Sequence, residues 1–206
     1  SGSDGLVMGD LDRDGFDDVV SVHESDSTYD STVPGETSPA MGHVRIAFGT
    51  SDPEKWVNIT LAQGADASAA EDAAIADVNG DGFLDVMVAA ELSHLIYLQN
   101  PGSDVRSRPW DRVILPMTQG RGSYIRVFLA DLNGDGVPEA IAPNKGAQRP
   151  TVNDYRRSTP ASIYHFSGDP LVGANWMEIE LGRFSNPRNS EPIDIDQDGD
   201  LDIIVG

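Results

Sequence analysis

Four segments of this 206-residue sequence carry acidic residues at one shared spacing. Each follows the pattern Asp-x-Asp/Asn-x-Asp-Gly-x-x-Asp/Glu, and the first aspartates of successive segments lie 67, 54 and 63 residues apart. Together the segments hold 16 of the 34 acidic residues. They are called loops 1 to 4 and span residues 10–18, 77–85, 131–139 and 194–202.

The spacing suits the binding of a hard cation. Oxygens at positions 1, 3, 5 and 9 of a loop, with the carbonyl at position 7, converge when the chain curls, and glycine at position 6 permits the sharp turn. Six to eight oxygens at about 2.3–2.6 Å are what calcium prefers. Without a cation, each loop would crowd several carboxylates together. A merely acidic turn is the alternative for one copy, and four copies in register favour calcium.

The predicted ligands form one set per loop, with position 7 contributing its main-chain carbonyl. In loops 1 and 2 they are Asp10, Asp12, Asp14, Phe16 and Asp18, then Asp77, Asn79, Asp81, Phe83 and Asp85. In loops 3 and 4 they are Asp131, Asn133, Asp135, Val137 and Glu139, then Asp194, Asp196, Asp198, Asp200 and Asp202. The sequence thus predicts up to four Ca²⁺ ions.

An EF-hand begins with the same spacing but fits poorly. It needs a glutamate at position 12, where these loops have Ser21, Val88, Ala142 and Val205. It also needs flanking helices, whereas the residues after each loop, such as Val86–Val88, are typical of a strand. We therefore reject the EF-hand.

The flanks of the loops repeat as well. An apolar stretch precedes each loop, and alternating apolar residues after it indicate half-buried strands. In the three full repeats the fourth strand begins with a tryptophan, at Trp56, Trp110 and Trp176. The tryptophans are expected to pack between repeats rather than to stack on a sugar. The alanine-rich residues 62–76 are predicted to form a loop with at most one helical turn. Four strands in about 60 residues predict a propeller blade.

In these features the sequence resembles the calcium-binding FG-GAP/VCBS repeat family, the integrin-type β-propeller blades. The Phe-Gly pair of the family's repeat occurs unchanged only at Phe48 and Gly49. The equivalent residues 100–102 and 166–168 match it less closely. Pro138 and Glu139 make loop 3 the least typical copy. The resemblance implies an all-β fold and a role in adhesion, carbohydrate binding or another cell-surface function.

The repeats predict three full blades and half of a fourth, at residues 5–61, 73–115, 125–181 and 192–206. A closed propeller typically has 4–8 blades, so these repeats are expected to be part of a larger propeller. Association of two copies, giving about seven blades, and an open filament are the alternatives. Either would pair exposed blade edges by self-association.

Composition narrows the class of partner. The net charge of −20 disfavours binding to nucleic acid and to anionic membranes. The sequence contains no stretch of 18 apolar residues, so membrane insertion is not expected. The absence of cysteine excludes disulfides and thiolate metal sites. The sequon Asn58-Ile59-Thr60 and calcium loops of modest affinity fit an extracellular or cell-surface location.

A candidate ligand face lies opposite the calcium loops in an antiparallel meander. Two long insertions, residues 23–42 and 144–161, fall on that face, and insertions confined to one face often mark the binding surface. The predicted contact residues are Arg121, Arg149, Asn153, Tyr155, Arg156 and Arg157. This cluster could bind an acidic glycan or a protein carboxylate. Alternatively, the arginines pair with nearby acids in a solvated loop.

The sequence therefore predicts a calcium-binding extracellular β-propeller that serves as a binding or scaffold module for a glycan or protein. The first alternative is a structural unit of a fibre or surface assembly, and the second is part of a propeller polysaccharide lyase. The four histidines, His23, His43, His94 and His165, lie in no recognisable catalytic motif. No catalytic residue is predicted, and the chain is not expected to be an enzyme.

Overall fold

The computed structural model of the chain describes residues 3–24 and 42–206. These residues form fourteen strands in three four-stranded antiparallel sheets and one two-stranded sheet. Each four-stranded sheet is called a blade, and in each the strands neighbour one another in chain order. The predicted all-β architecture of three blades and half of a fourth is thereby confirmed.

The strand bounds are as follows. Blade 1 contains β1 (Gly5–Gly9), β2 (Asp18–His23), β3 (His43–Phe48) and β4 (Val57–Gln63). Blade 2 contains β5 (Ala70–Ala76), β6 (Asp85–Ala90), β7 (His94–Gln99) and β8 (Asp111–Ile114). Blade 3 contains β9 (Phe128–Ala130), β10 (Glu139–Pro143), β11 (Thr159–Phe166) and β12 (Trp176–Phe184). The half-blade contains β13 (Ser190–Ile193) and β14 (Asp202–Val205).

Short 3₁₀ turns occur between strands. They span Pro53–Lys55, Gly64–Ala67, Gly102–Asp104, Pro116–Thr118, Asp154–Arg156 and Gly173–Asn175. The region predicted as a loop, residues 62–76, contains one such turn, but β4 runs on to Gln63 and β5 begins at Ala70. The loop is therefore shorter than predicted, because positive φ angles at Gly64 and Ala69 turn the chain within a few residues.

Blade 2 lies between blades 1 and 3, and its strands show this directly. In β6, Val86 and Val88 pack against blade 1, whereas Met87 and Ala89 pack against blade 3. Successive side chains of a strand point to opposite faces, so both faces of β6 are covered and every residue of it is buried. By contrast, β2 alternates between buried and half-buried residues.

The tryptophans do not all behave as predicted. Trp110 and Trp176 are 3% and 4% exposed and belong to the cores on either side of blade 2. Trp56 is 36% exposed, so the prediction of core packing is wrong at this position. Capping a 3₁₀ turn does not explain the difference, because Trp176 caps the turn of residues 173–175 and is buried. Trp110 and Trp176 each pack against the preceding blade, whereas among the described residues no blade covers the corresponding face of blade 1.

The connections between strands lie on two opposite faces of the blades, one at each end of the strands. Arg106, between β7 and β8, reaches loop 1, which joins β1 to β2, so these connections share one face. On the opposite face, Lys145 after β10 contacts Glu91 after β6. Residues 25–41, which make up most of the first predicted insertion, lie outside the described residues. Among the described residues, no helix has the length and apolar character needed to cross a bilayer.

Candidate metal centres

The four acidic loops share one backbone conformation. The glycine at position 6 has a φ of +90°, +88°, +88° and +99° in loops 1 to 4. Position 4 also has a positive φ in every loop, although it is glycine only at Gly80 and Gly134, and Arg13 and Gln197 elsewhere. The positive φ angles at positions 4 and 6, on either side of position 5, curl each loop back on its first aspartate.

A repeated set of hydrogen bonds holds this conformation. In every loop the amide of position 6 donates to the position 1 carboxylate at 2.8 to 3.1 Å. The amide of position 5 donates to the side-chain oxygen of position 3 at 2.9 to 3.3 Å. The amide of position 7 donates to the position 5 carboxylate at 2.8 to 3.0 Å. These bonds therefore hold the side chains at positions 1, 3 and 5 against the loop backbone.

In loops 1 and 4 the carboxylate oxygens of positions 1, 3 and 9 lie close together. In loop 1, ligand atoms of Asp10, Asp12 and Asp18 lie within 4.8 Å of one another, and in loop 4 the equivalent atoms of Asp194, Asp196 and Asp202 do so. In loop 2, Asp77 Oδ1 is buried and accepts no hydrogen bond. A buried carboxylate oxygen without a donor is costly, and a cation would satisfy it.

Position 9 has a second role, which is to anchor its loop to the blade. Its carboxylate accepts the amide of position 2 in all four loops, at 2.8 to 3.2 Å. In blade 1 the other oxygen of Asp18 accepts the amide of Gly49 at 2.8 Å. In blade 2, Asp85 accepts the amide of Asn100 at 2.8 Å and the Tyr97 hydroxyl at 2.9 Å. Asp18 and Asp85 thus join each loop to the end of the third strand.

Loop 3 departs from this arrangement. Glu139 Oε2 accepts the amide of Leu132 at 2.9 Å, but Oε1 accepts from Asn133 Nδ2 at 2.7 Å. The longer glutamate turns back onto its own loop instead of bonding the end of β11. This agrees with the expectation that loop 3 is the least typical of the four.

Burial shapes the electrostatics of position 9. Asp85 is fully buried, and burial raises its pKa to about 6, although the bonds from Asn100, Tyr97 and Val78 act in the opposite direction. Burial likewise raises the pKa of Asp18 against the bonds from Gly49 and Leu11. Because these carboxylates lose water on burial, a neighbouring positive charge would stabilise their ionised forms.

Comparison with protein families identifies the repeat. A family model described as FG-GAP-like repeat matches residues 10–88 and 77–142. This chain belongs to the FG-GAP-like repeat family. Each match begins at the first aspartate of one loop and ends in the second strand of the next blade. A search of curated proteins found no match.

The Phe-Gly pair of the FG-GAP-like repeat has a physical explanation in blade 1. Phe48 is fully buried in the core between blades 1 and 2. A Cβ atom at Gly49 would lie 2.2 Å from the carbonyl oxygen of Asp17, so in blade 1 the chain accommodates only glycine at this position without a shift. In blade 2, Asn100 takes the place of the glycine and makes the same amide bond.

A further acidic cluster lies on the opposite face. Carboxylate oxygens of Glu24, Glu71 and Glu91 approach within 4.8 Å of one another. Lys145 forms an ion pair with Glu91, and both side chains are almost fully buried. Burial first, and then Glu91, Glu24 and Asp4, raise the pKa of Glu71 to about 7, with Lys145 opposing them. Gln148 Nε2 also donates to Glu91, at 3.0 Å.

The residues predicted for the ligand face are only partly brought together. Arg121 forms an ion pair with Glu178 of β12, as the alternative interpretation expected. Asn153, Tyr155, Arg156 and Arg157 lie at the 3₁₀ turn of residues 154–156 and are all exposed. Arg149 has an interaction partner of its own. The cleft beside this turn has a volume of about 250 Å³ and is lined by Lys145, Gly146, Ala147, Asp154, Arg157, Thr159 and Asn186.

Two features of the metal face were missed by reasoning from the sequence. Arg13 of loop 1 stacks on Phe83 of loop 2, 4.6 Å from the ring centroid, and donates to the carbonyl of Gly82. Loops 2 and 3 flank a cleft of about 320 Å³, whose lining includes Asn79, Asp135 and His165. Neither feature has a sequence signal, because each depends on the packing of one blade against the next.

Proposed function

We propose that this chain is a calcium-stabilised β-propeller module that binds an extracellular glycan or protein. The observation that carries the calcium proposal is the repeated set of amide-to-carboxylate bonds in all four loops, together with the unpartnered, buried Asp77 Oδ1. A turn that was acidic for solubility alone would not need its carboxylates gathered in the same way four times.

The predicted ligands are the side chains at positions 1, 3, 5 and 9. These residues would hold a divalent cation, with the position 7 carbonyl as a further predicted ligand. All of them are oxygen donors, which suits calcium better than zinc or copper. A bound ion would neutralise the crowded carboxylates and stabilise the connection between the first two strands of each blade.

The proposed ligand face is the one opposite the loops. Its cleft is lined by Lys145, Arg157 and Asn186, and Tyr155 is exposed beside it. Lys145 is almost fully buried and paired with Glu91, so Arg157 is the cationic side chain of this cleft that is exposed, and its guanidinium suits an acidic glycan or a protein carboxylate. An extracellular or cell-surface location is part of this proposal, since free calcium there is high enough to fill loops of modest affinity.

The calcium proposal is tested by native mass spectrometry of the chain with calcium and after chelation. We expect up to four bound ions, and one fewer in the Asp81→Ala variant, which removes an exposed ligand of loop 2. Ser107→Ala, an exposed change outside the loops, serves as the control and should keep the full number. Fewer than two ions, with no change on chelation, would contradict the proposal.

The ligand proposal requires separate tests. Calcium-dependent binding on a glycan array, weakened by Arg157→Gln, would support carbohydrate recognition. A blank array together with a defined protein partner would favour adhesion. Particles that grow with calcium and protein concentration would support the fibre alternative, and release of unsaturated products from acidic polysaccharides would support the lyase alternative.

A further inference from the structure

Loop 1 differs from the other loops in having an arginine placed on its predicted ligands. Arg106 lies between β7 and β8 of blade 2 and crosses to blade 1. Its Nε donates to Asp12 Oδ2, and its Nη2 lies 3.0 Å from Asp14 Oδ2. The guanidinium also lies over the Phe48 ring, 4.8 Å from the centroid. Three contacts therefore position Arg106 at positions 3 and 5 of loop 1.

The oxygens that Arg106 contacts are those that the loop backbone leaves free. Asp12 Oδ1 accepts the amide of Asp14, and Asp14 Oδ1 accepts the amide of Phe16. The remaining Oδ2 atom of each residue accepts from Arg106. The Asp12 side chain is only 6% exposed, so water screens this interaction incompletely.

Loop 4 provides an internal comparison. It has aspartate at positions 1, 3, 5 and 9, as loop 1 does, and a non-glycine residue at position 4. Its amides of positions 5, 6 and 7 make the same bonds. Across residues 3–24 and 42–206, no basic side chain forms an ion pair with the loop 4 carboxylates. The two loops thus share their donor set and differ in the adjacent cation.

We propose that Arg106 is a built-in counter-cation of loop 1 that lowers the calcium affinity of this loop and couples it to the packing of blade 2 on blade 1. A divalent ion held by Asp12 and Asp14 would share those carboxylates with the guanidinium, and the two positive charges repel. Conversely, Arg106 relieves the repulsion among the loop 1 carboxylates when no metal is bound. This inference rests on the proposed calcium binding and specifies how one loop is regulated.

The test is a calcium titration of the whole chain followed by hydrogen-exchange mass spectrometry, which reports each loop separately. For Arg106→Gln we expect the calcium affinity of peptides covering residues 10–18 to rise by about three- to tenfold, while peptides covering residues 194–202 keep their affinity. In chelator, the variant should show faster exchange in loop 1 than the wild type.

Two matched variants distinguish charge from structural damage. Arg106→Lys keeps the charge and should stay within about twofold of the wild-type loop 1 affinity. Arg112→Gln breaks the exposed pair between Arg112 of β8 and Asp66 of the 3₁₀ turn before β5, away from the acidic loops, and should leave both loops unchanged. If Arg106→Gln and the wild type have equal loop 1 affinities while loop 4 still responds, the inference is wrong. If no loop responds in the wild type, the calcium proposal itself fails.

Discussion

The main-chain amide of Gly49 donates to Asp18 Oδ1 at 2.8 Å, across 31 residues of sequence. This bond joins the last position of loop 1 to the residue that follows β3. The same connection recurs between Asn100 and Asp85 in blade 2. Position 9 is therefore both a predicted metal ligand and a structural anchor, and the two roles lead to different predictions.

Gly49→Ala should destabilise the protein by about 1–3 kcal/mol, because the new Cβ would lie 2.2 Å from the Asp17 carbonyl oxygen and the chain must move. Denaturant unfolding measures this loss, and calcium should not abolish it. Gly206→Ala is the control, since a Cβ there meets no atom within 4 Å. Equal stability of Gly49→Ala and the wild type would contradict the proposed role of the glycine.

Asp85→Ala and Asp81→Ala should separate anchoring from metal binding. Asp85 is buried and accepts three hydrogen bonds, so its removal leaves donors unsatisfied and should cost about 2–4 kcal/mol with or without calcium. Asp81 is exposed, and its bonds from Phe83 and Asn79 are exposed as well, so its loss should cost little in chelator and should mainly reduce the stabilisation that calcium adds. Thermal unfolding of both variants in calcium and in chelator is the measurement. A loss at Asp85 confined to the calcium-containing sample would disprove the anchoring role.

Glu71 should make stability fall as pH rises through the neutral range. Its pKa is raised to about 7 in the folded protein, from 4.5 in the unfolded chain, so the folded state retains its proton longer. The stabilisation is full below about pH 4.5 and is lost as pH rises through about 7. Glu71→Gln removes the charge that is costly to bury, so at pH 8 it should be more stable than the wild type by about 1–3 kcal/mol.

The measurement is the free energy of unfolding of both proteins between pH 5 and pH 8. The difference between them should grow with pH and level off above about 7. Glu191→Gln, an exposed glutamate on β13, is the control and should show no such trend. A difference that does not vary with pH would show that Glu71 ionises normally in the folded protein.

Removing one partner of the buried Lys145–Glu91 pair should destabilise the protein far more than removing both. Lys145→Met leaves a buried carboxylate among Glu71 and Glu24 and should destabilise the protein by about 3–5 kcal/mol. Adding Glu91→Met should recover most of that loss, because the unpaired charge is gone. Arg183→Met, which breaks an exposed pair with Glu180, should cost less than about 1 kcal/mol. Additive losses in the double variant would argue against a coupled buried pair.

The ligand-face prediction shows how far sequence reasoning extends. Clustering of basic residues in 144–161 could be read from the sequence, and the exposed turn of residues 154–156 carries several of them. That Arg121 instead pairs with Glu178, 57 residues later, depends on how β12 folds back beside the β8 to β9 connection. The sequence offers no local signal for such a pairing.

The amino-acid sequence by itself determined the loops, the strand order and the family, because these follow from local regularities. Spacing within nine residues sets which oxygens converge, and alternation of apolar residues sets which strands form. Tertiary structure alone decided that Trp110 is buried while Trp56 is not, and that Arg106 of blade 2 meets Asp12 of blade 1. The physical reason is that blade packing brings together residues about 90 positions apart, and no pattern within a single repeat encodes that meeting.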